Sequence, residues 1–111
     1  MEAATEQRKV PPLQELLKVM VDKGGSDLHI TAGSPPRIRV HGKLLPLEQL
    51  SPLTPVDTKQ MVYTVLTDAQ KHTFEEENEL DFSFGLKGLS RFRGNLFVQR
   101  GATGGVFRTI P

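Results

Sequence analysis

The chain has 111 residues, no cysteine, a formal net charge of +1 and 37% hydrophobic residues. That length suits one small domain with one core, and the missing cysteines exclude a disulfide scaffold, a thiolate metal site and a cysteine nucleophile. The near-neutral charge argues against strong electrostatic binding of the whole chain to nucleic acid or membrane, and no stretch approaches the roughly 18 apolar residues that span a bilayer.

Met1 to Lys9 is polar and lacks an apolar core, so no signal peptide is read there. Met1 to Val10 is expected to be a mobile lead-in to a domain covering residues 11–111. Pro11 and Pro12 mark a helix start, and Leu13, Leu16, Leu17, Met20 and Val21 follow at helical spacing. Gly24 and Gly25 end that helix. Asp27 to Thr31 alternates Leu28 and Ile30 with polar residues and reads as a strand. Ser34, Pro35 and Pro36 form a turn before a second strand, Arg37 to Val40. His41-Gly42 reads as a two-residue hairpin connection into a third, Lys43 to Leu47.

A proline-rich connector runs from Pro46 to Pro55. Thr54 caps a helix with Pro55 at its first position and Asp57 in its first turn. Met61, Val62, Val65 and Leu66 supply its buried face. Thr67 with Gln70 has the form of a capping box and starts another helix. Glu75, Glu76 and Glu77 fall near its end, where the dipole disfavours negative charge, so they read as solvated surface rather than a metal site.

The last third is β-rich. Leu80, Phe82 and Phe84 alternate with Asp81 and Ser83. Gly85 to Gly88 reads as a turn, Leu89 to Gln99 as a long strand and Val106 to Ile110 as another. A loop containing Gly101, Gly104 and Gly105 is expected between them. The order α-β-β-β-α-α-β-β-β predicts an α+β domain. Its mainly antiparallel six-stranded sheet is covered on one face by about three helices.

The glycines at 101–105 lack the spacing of a phosphate loop. That loop needs Gly, four residues, then Gly-Lys-Ser/Thr before a helix, and no such string occurs in the chain. These 111 residues are therefore expected not to hydrolyse ATP by themselves. His29, His41 and His72 share no metal-ligand spacing. His29 faces away from Leu28 and Ile30, in a structural or surface role. Asp27 reads as a cap or turn between Gly25 and the first strand.

The arginines carry more information. Arg91, Arg93 and Asn95 alternate along one strand and line one face. Phe92, Leu96 and Val98 line the other, which is the expected core. Arg100 falls in the following loop and Arg108 on the next strand. From Asp81 onward, that aspartate is the one acid, set against Lys87, Arg91, Arg93, Arg100 and Arg108. Guanidinium forks suit phosphate and carboxylate groups. The pattern supports an anion-facing sheet equally with a solvated face whose charges meet Glu75–Glu79. A nucleic-acid platform would need Phe92 on the basic face, and alternation puts it on the other. A free-standing, PAS-like small-ligand sensor would want polar residues on an apolar core face, and none stands out.

Whole strings separate these readings. The chain reads GGSDLHITAGSPPRIRVHG at 24–42, DFSF at 81–84, RFRGNLF at 91–97 and VFRTIP at 106–111. Together, from about Leu13 to the last residue, they closely resemble the N-terminal domain of the PilT family, the twitching-motility retraction ATPases of the type II/IV secretion ATPase superfamily. SDLH is shared across the superfamily, whereas its combination with DFSF, RFR-x-N and FRTIP is specific to the PilT branch. The extension branch, PilB, fits less well, and the strings do not separate PilT from its paralogue PilU.

The resemblance implies a PAS-like fold and a cytoplasmic homohexameric motor, peripheral at the inner-membrane base of the pilus and using ATP and magnesium. It implies a P-loop motor domain following FRTIP, with residue 111 at the interdomain linker. The partners implied are the adjacent subunit's motor domain and the pilus inner-membrane platform protein. Nucleic acid and direct membrane insertion are not implied. The residues implied to reach a neighbouring subunit's nucleotide phosphates are Arg93 and Arg108, with Arg91 a third. Gly94 stands where the family often has a β-branched residue, which leaves the direction of Arg93 for the structure to fix.

Overall fold

A computed structural model describes residues 10–111. The expected lead-in lies outside them except for Val10, which packs half-buried against the core. Helix α1 (Leu13–Asp22) buries Leu13, Leu16, Leu17 and Met20, the stripe that its spacing predicts. Helix α2 (Pro55–Tyr63) begins in a full capping box: the Asp57 amide donates to Thr54 Oγ1 at 3.1 Å and the Thr54 amide to Asp57 Oδ2 at 2.8 Å. Helix α3 (Asp68–Glu77) repeats the device with Thr67 and Gln70 and ends at Asn78 in the left-handed region. Val65 and Leu66 lie beyond the end of α2 but still pack on the core.

The strands are β1 (Asp27–Ile30), β2 (Arg37–Val40), β3 (Lys43–Pro46), β4 (Glu79–Leu86), β5 (Ser90–Gln99) and β6 (Ala102–Ile110). They form one sheet in the order β3-β2-β1-β6-β5-β4, and every neighbouring pair is antiparallel. The expected α+β architecture is what the described residues form, with three helices against a six-stranded sheet. The His41-Gly42 hairpin is also as expected: Val40 pairs with Lys43, and both turn residues have positive φ.

The glycines after residue 84 were misleading. Gly85 and Leu86 belong to β4, and the connection to β5 is residues 87–89. Strand β6 begins at Ala102, not Val106, and its link to β5 is only Arg100-Gly101, at φ of 53° and 76°. Gly104 and Gly105 are strand residues because large neighbours fill their places. A Cβ at Gly104 would stand 2.7 Å from Phe97 Cε1, and one at Gly105 2.9 Å from Leu96 Cδ2.

Leu28, Ile30, Ile38, Phe92, Leu96 and Phe107 project from one sheet face and merge with the helix residues into a single core. Full burial of each such side chain is worth about 1.5–3 kcal/mol. Phe84 touches both Phe92 and Phe107, with ring centroids 5.6 and 6.1 Å apart. Val98 does not join them; it pairs with Thr103 beside the β5–β6 turn and is 39% exposed. The opposite sheet face carries the charged residues.

Candidate functional site

Strand alternation fixes what this open face displays. It takes odd-numbered residues from β1, β2, β4 and β5 and even-numbered residues from β6, because the register pairs Asp27 with Arg39 and Arg108, and Arg93 with Arg108 and Ser83. One row across five strands therefore reads Arg39, Asp27, Arg108, Arg93, Ser83. The next row reads Arg37, His29, Val106, Asn95, Asp81.

Gly94 does not disturb this order. It pairs regularly with Phe82 on β4 and Phe107 on β6, with no bulge. A Cβ there would lie 2.6 Å from Phe82 Cε1 and 3.1 Å from Phe107 Cε2. The missing side chain lets those two rings meet edge to face, 6.4 Å between centroids. Arg93 consequently keeps its regular place on the open face.

The three arginines singled out from the sequence are treated differently by the fold. Arg93 and Arg108 are brought together as direct cross-strand neighbours, and both are exposed. Arg91 shares their face but lies across Gly85, with Nη2 3.4 Å from Ser83 Oγ. Arg108 Nε donates to Asp27 Oδ1 at 3.1 Å. Among the described residues Arg93 makes no ion pair and no side-chain hydrogen bond. Arg108 shares its face with Val106 and Ile110, as alternation requires, and its head turns sideways to Asp27 rather than reaching past them.

Asp27 is neither a cap nor a turn. It opens β1, is buried, and sits between two guanidinium groups, with Arg39 Nε 3.4 Å from Oδ2. Arg39 in turn donates from Nη1 to the Gly42 carbonyl at 3.1 Å. His29 Nε2 is 4.0 Å from Asp27 Oδ2, too far for a hydrogen bond, and is buried without a partner. Burial is the main reason its pKa lies below 6.5. Asp27 opposes that shift, while Arg39, Arg37 and Arg108 add to it.

Among the described residues no ion pair joins the Glu75–Glu79 cluster to an arginine; the arginine ion pairs go to Asp27. Glu75 accepts a hydrogen bond from Tyr63 at 2.8 Å, and Glu76 lies 3.3 Å from His72. The acids that share the open face are Asp27, Glu79 and Asp81, and Asp81 is taken up by the Asn95 amide. Sequence reasoning missed Asp27 and Arg39. The signal was present in RIRV at 37–40, whose alternate arginines repeat the pattern of RFR at 91–93 across a hairpin from Asp27.

No family model matches the chain. It is 42% identical over 97 residues to the type IV pilus ATPase PilU of Pseudomonas aeruginosa. It is 44% identical over 99 residues to the type IV pilus retraction ATPase PilT of the same organism. These alignments take in 87% and 89% of this chain but only 25% and 28% of the relatives, so the chain spans about a quarter of their length. The fold matches a crystal structure of the pilus retraction motor PilT with bound ADP, at a TM-score of 0.85 and 39% identity. That match covers 91% of this chain and 29% of the other. The resemblance read from the four strings is borne out. Described helices include none long and apolar enough to cross a membrane.

Proposed function

We propose that this chain, which resembles the N-terminal domain of PilT-type pilus ATPases in sequence and fold, is the non-catalytic coupling domain of such a motor. In this reading the motor is a hexamer that retracts type IV pili and so drives twitching motility, working at the cytoplasmic side of the pilus base. Its partners are the motor domain of the adjacent subunit and the inner-membrane platform of the pilus.

The arginine row carries the reading. Arg93 and Arg108 stand side by side on a sheet face that no described helix covers, in a chain with no phosphate loop of its own. Guanidinium groups make charge-assisted, bidentate contacts with phosphate oxygens. Set against a neighbouring subunit's nucleotide, the pair would link ATP occupancy to domain orientation. It would also offset charge that develops during phosphoryl transfer, a role worth up to about 10³–10⁵ in rate where arginine fingers act. Arg91, drawn toward Ser83, is the secondary contact. A guanidinium donates hydrogen bonds and cannot ligate a cation, so in this reading magnesium and the main nucleotide contacts fall to the motor domain.

The test is Arg93→Ala and Arg108→Ala, made singly in the full-length hexamer with assembly checked first. Reduced ATP turnover or ATP affinity in both supports the reading. Assembled variants with wild-type turnover and affinity would make the arginines surface charges only.

A further inference from the structure

We propose that Asp27 is a positioning residue for Arg108: it grips the guanidinium from one side so that the terminal nitrogens stand outward beside Arg93. This rests on the reading of Arg93 and Arg108 as phosphate contacts and adds what controls one of them.

Cross-strand register makes the problem plain. Arg108 and Arg93 are directly opposite, and like charges so placed repel. Asp27 is the residue directly opposite Arg108 on its other flank. Its Oδ1 engages Nε, the nitrogen nearest the stem, at 3.1 Å. Engagement there leaves both terminal nitrogens free, and the Arg108 side chain remains 67% exposed.

The carboxylate is itself held. Its second oxygen faces Arg39 Nε at 3.4 Å, and Arg39 is anchored to the Gly42 carbonyl in the β2–β3 turn. A line of contacts thus runs from a tight turn through Arg39 and Asp27 to Arg108. His29 is the neighbouring group able to compete for Asp27. It stays 4.0 Å away; Asp27 favours its protonation, but burial, the largest cause, together with Arg39, Arg37 and Arg108, holds its pKa below 6.5. A guanidinium already fixed by one bond loses less freedom when it binds an anion.

The experiment has two arms. In the 111-residue chain, NMR follows the Arg108 Nε–H. The expected result is a dispersed, slowly exchanging signal in the wild type that moves to the position of free arginine in Asp27→Asn. A signal that stays ordered in Asp27→Asn overturns the proposal. In the full-length hexamer, Asp27→Asn is expected to lose most of the turnover that Arg108→Ala loses. It is expected to add no further loss in the Arg108→Ala background, the signature of two residues acting as one unit. Equal losses in both backgrounds indicate a general structural defect and overturn the positioning role. If Arg93→Ala and Arg108→Ala both leave turnover intact, the phosphate reading fails first, whatever the NMR arm shows, and the proposal falls with it. If Arg108→Ala impairs turnover and Asp27→Asn does not, only the role of Asp27 fails.

Discussion

Phe82 lies over Gly94 on the adjacent strand, so close that a single added carbon would sit 2.6 Å from its ring. Both neighbours of that glycine are strand-borne phenylalanines: Phe107 is buried in the core, and Phe82 is partly buried against it and packed on Phe84. Gly94→Ala is therefore expected to destabilise the chain by about 1–3 kcal/mol, the usual range for overpacking. Urea unfolding monitored by circular dichroism checks it. A loss under about 0.5 kcal/mol, the size typical of surface substitutions, would mean the rings adjust freely.

Arg93 and Arg108 differ in what they contribute to the isolated fold. Arg108 holds a buried carboxylate, so Arg108→Ala should cost about 1 kcal/mol, the upper end for a partly exposed ion pair. Arg93 has no such partner and faces another cation. Arg93→Ala should change stability by under about 0.5 kcal/mol, in the stabilising direction if at all. Parallel denaturation of the two variants distinguishes them.

Tyr63 is the sole tyrosine and the chain has no tryptophan, so phenolate absorbance reports one side chain. Burial first, then the hydrogen bond and charge of Glu75, push its pKa up to about 12. The folded pKa is raised, so this contribution to stability is complete below pH 10 and is lost as pH rises through 12. A spectrophotometric titration should show a midpoint well above 10. In Glu75→Gln the midpoint should fall but remain above the ordinary value, because burial is the larger cause.

His29 gives the opposite dependence. Its folded pKa is depressed below 6.5, so the unfolded chain takes up the proton first. Stability from this group is complete above about pH 6.5 and declines as pH falls toward the folded pKa. Thermal melts between pH 7.5 and 5 should show a smaller acid-induced loss in His29→Gln than in the wild type. Identical pH slopes would show that His29 is accessible to protons in the folded state.

The 111-residue chain alone is expected to turn over no ATP, because it has no phosphate loop to cradle the nucleotide. Steady-state phosphate release from purified chain checks this. Turnover that persists through successive columns would contradict it.

Elements whose signals are local could be read directly from the sequence. Thr54, Thr67 and His41-Gly42 act through neighbours three residues away or fewer, and the structure has each where expected. The glycines of the last third were not legible in this way. Gly85, Gly94, Gly104 and Gly105 answer to side chains on adjacent strands, and nothing in their own segments distinguishes a glycine that makes room from one that makes a turn. The same holds for the site. Alternation placed Arg91, Arg93 and Asn95 on one face, but that Arg108 joins them depends on the β5–β6 register, and the value of Asp27 on β1 lying between β2 and β6. That arrangement brings residues 27 and 108 together across 81 positions of chain.

The C-terminal strand of the described residues occupies an inner position. Strand β6 is bonded along β1 on one side and along β5 on the other, and it alone joins the β1–β3 half of the sheet to the β4–β6 half. Interstrand hydrogen bonds run perpendicular to the strands, so tension applied at Ile110 along the strand loads both ladders at once in shear. Peeling an edge strand such as β3 would break its bonds one after another. A pull through Ile110 meets the sheet at a strand paired on both sides, and the force passes to both halves of the domain, including the strands that carry Asp27 and Arg93.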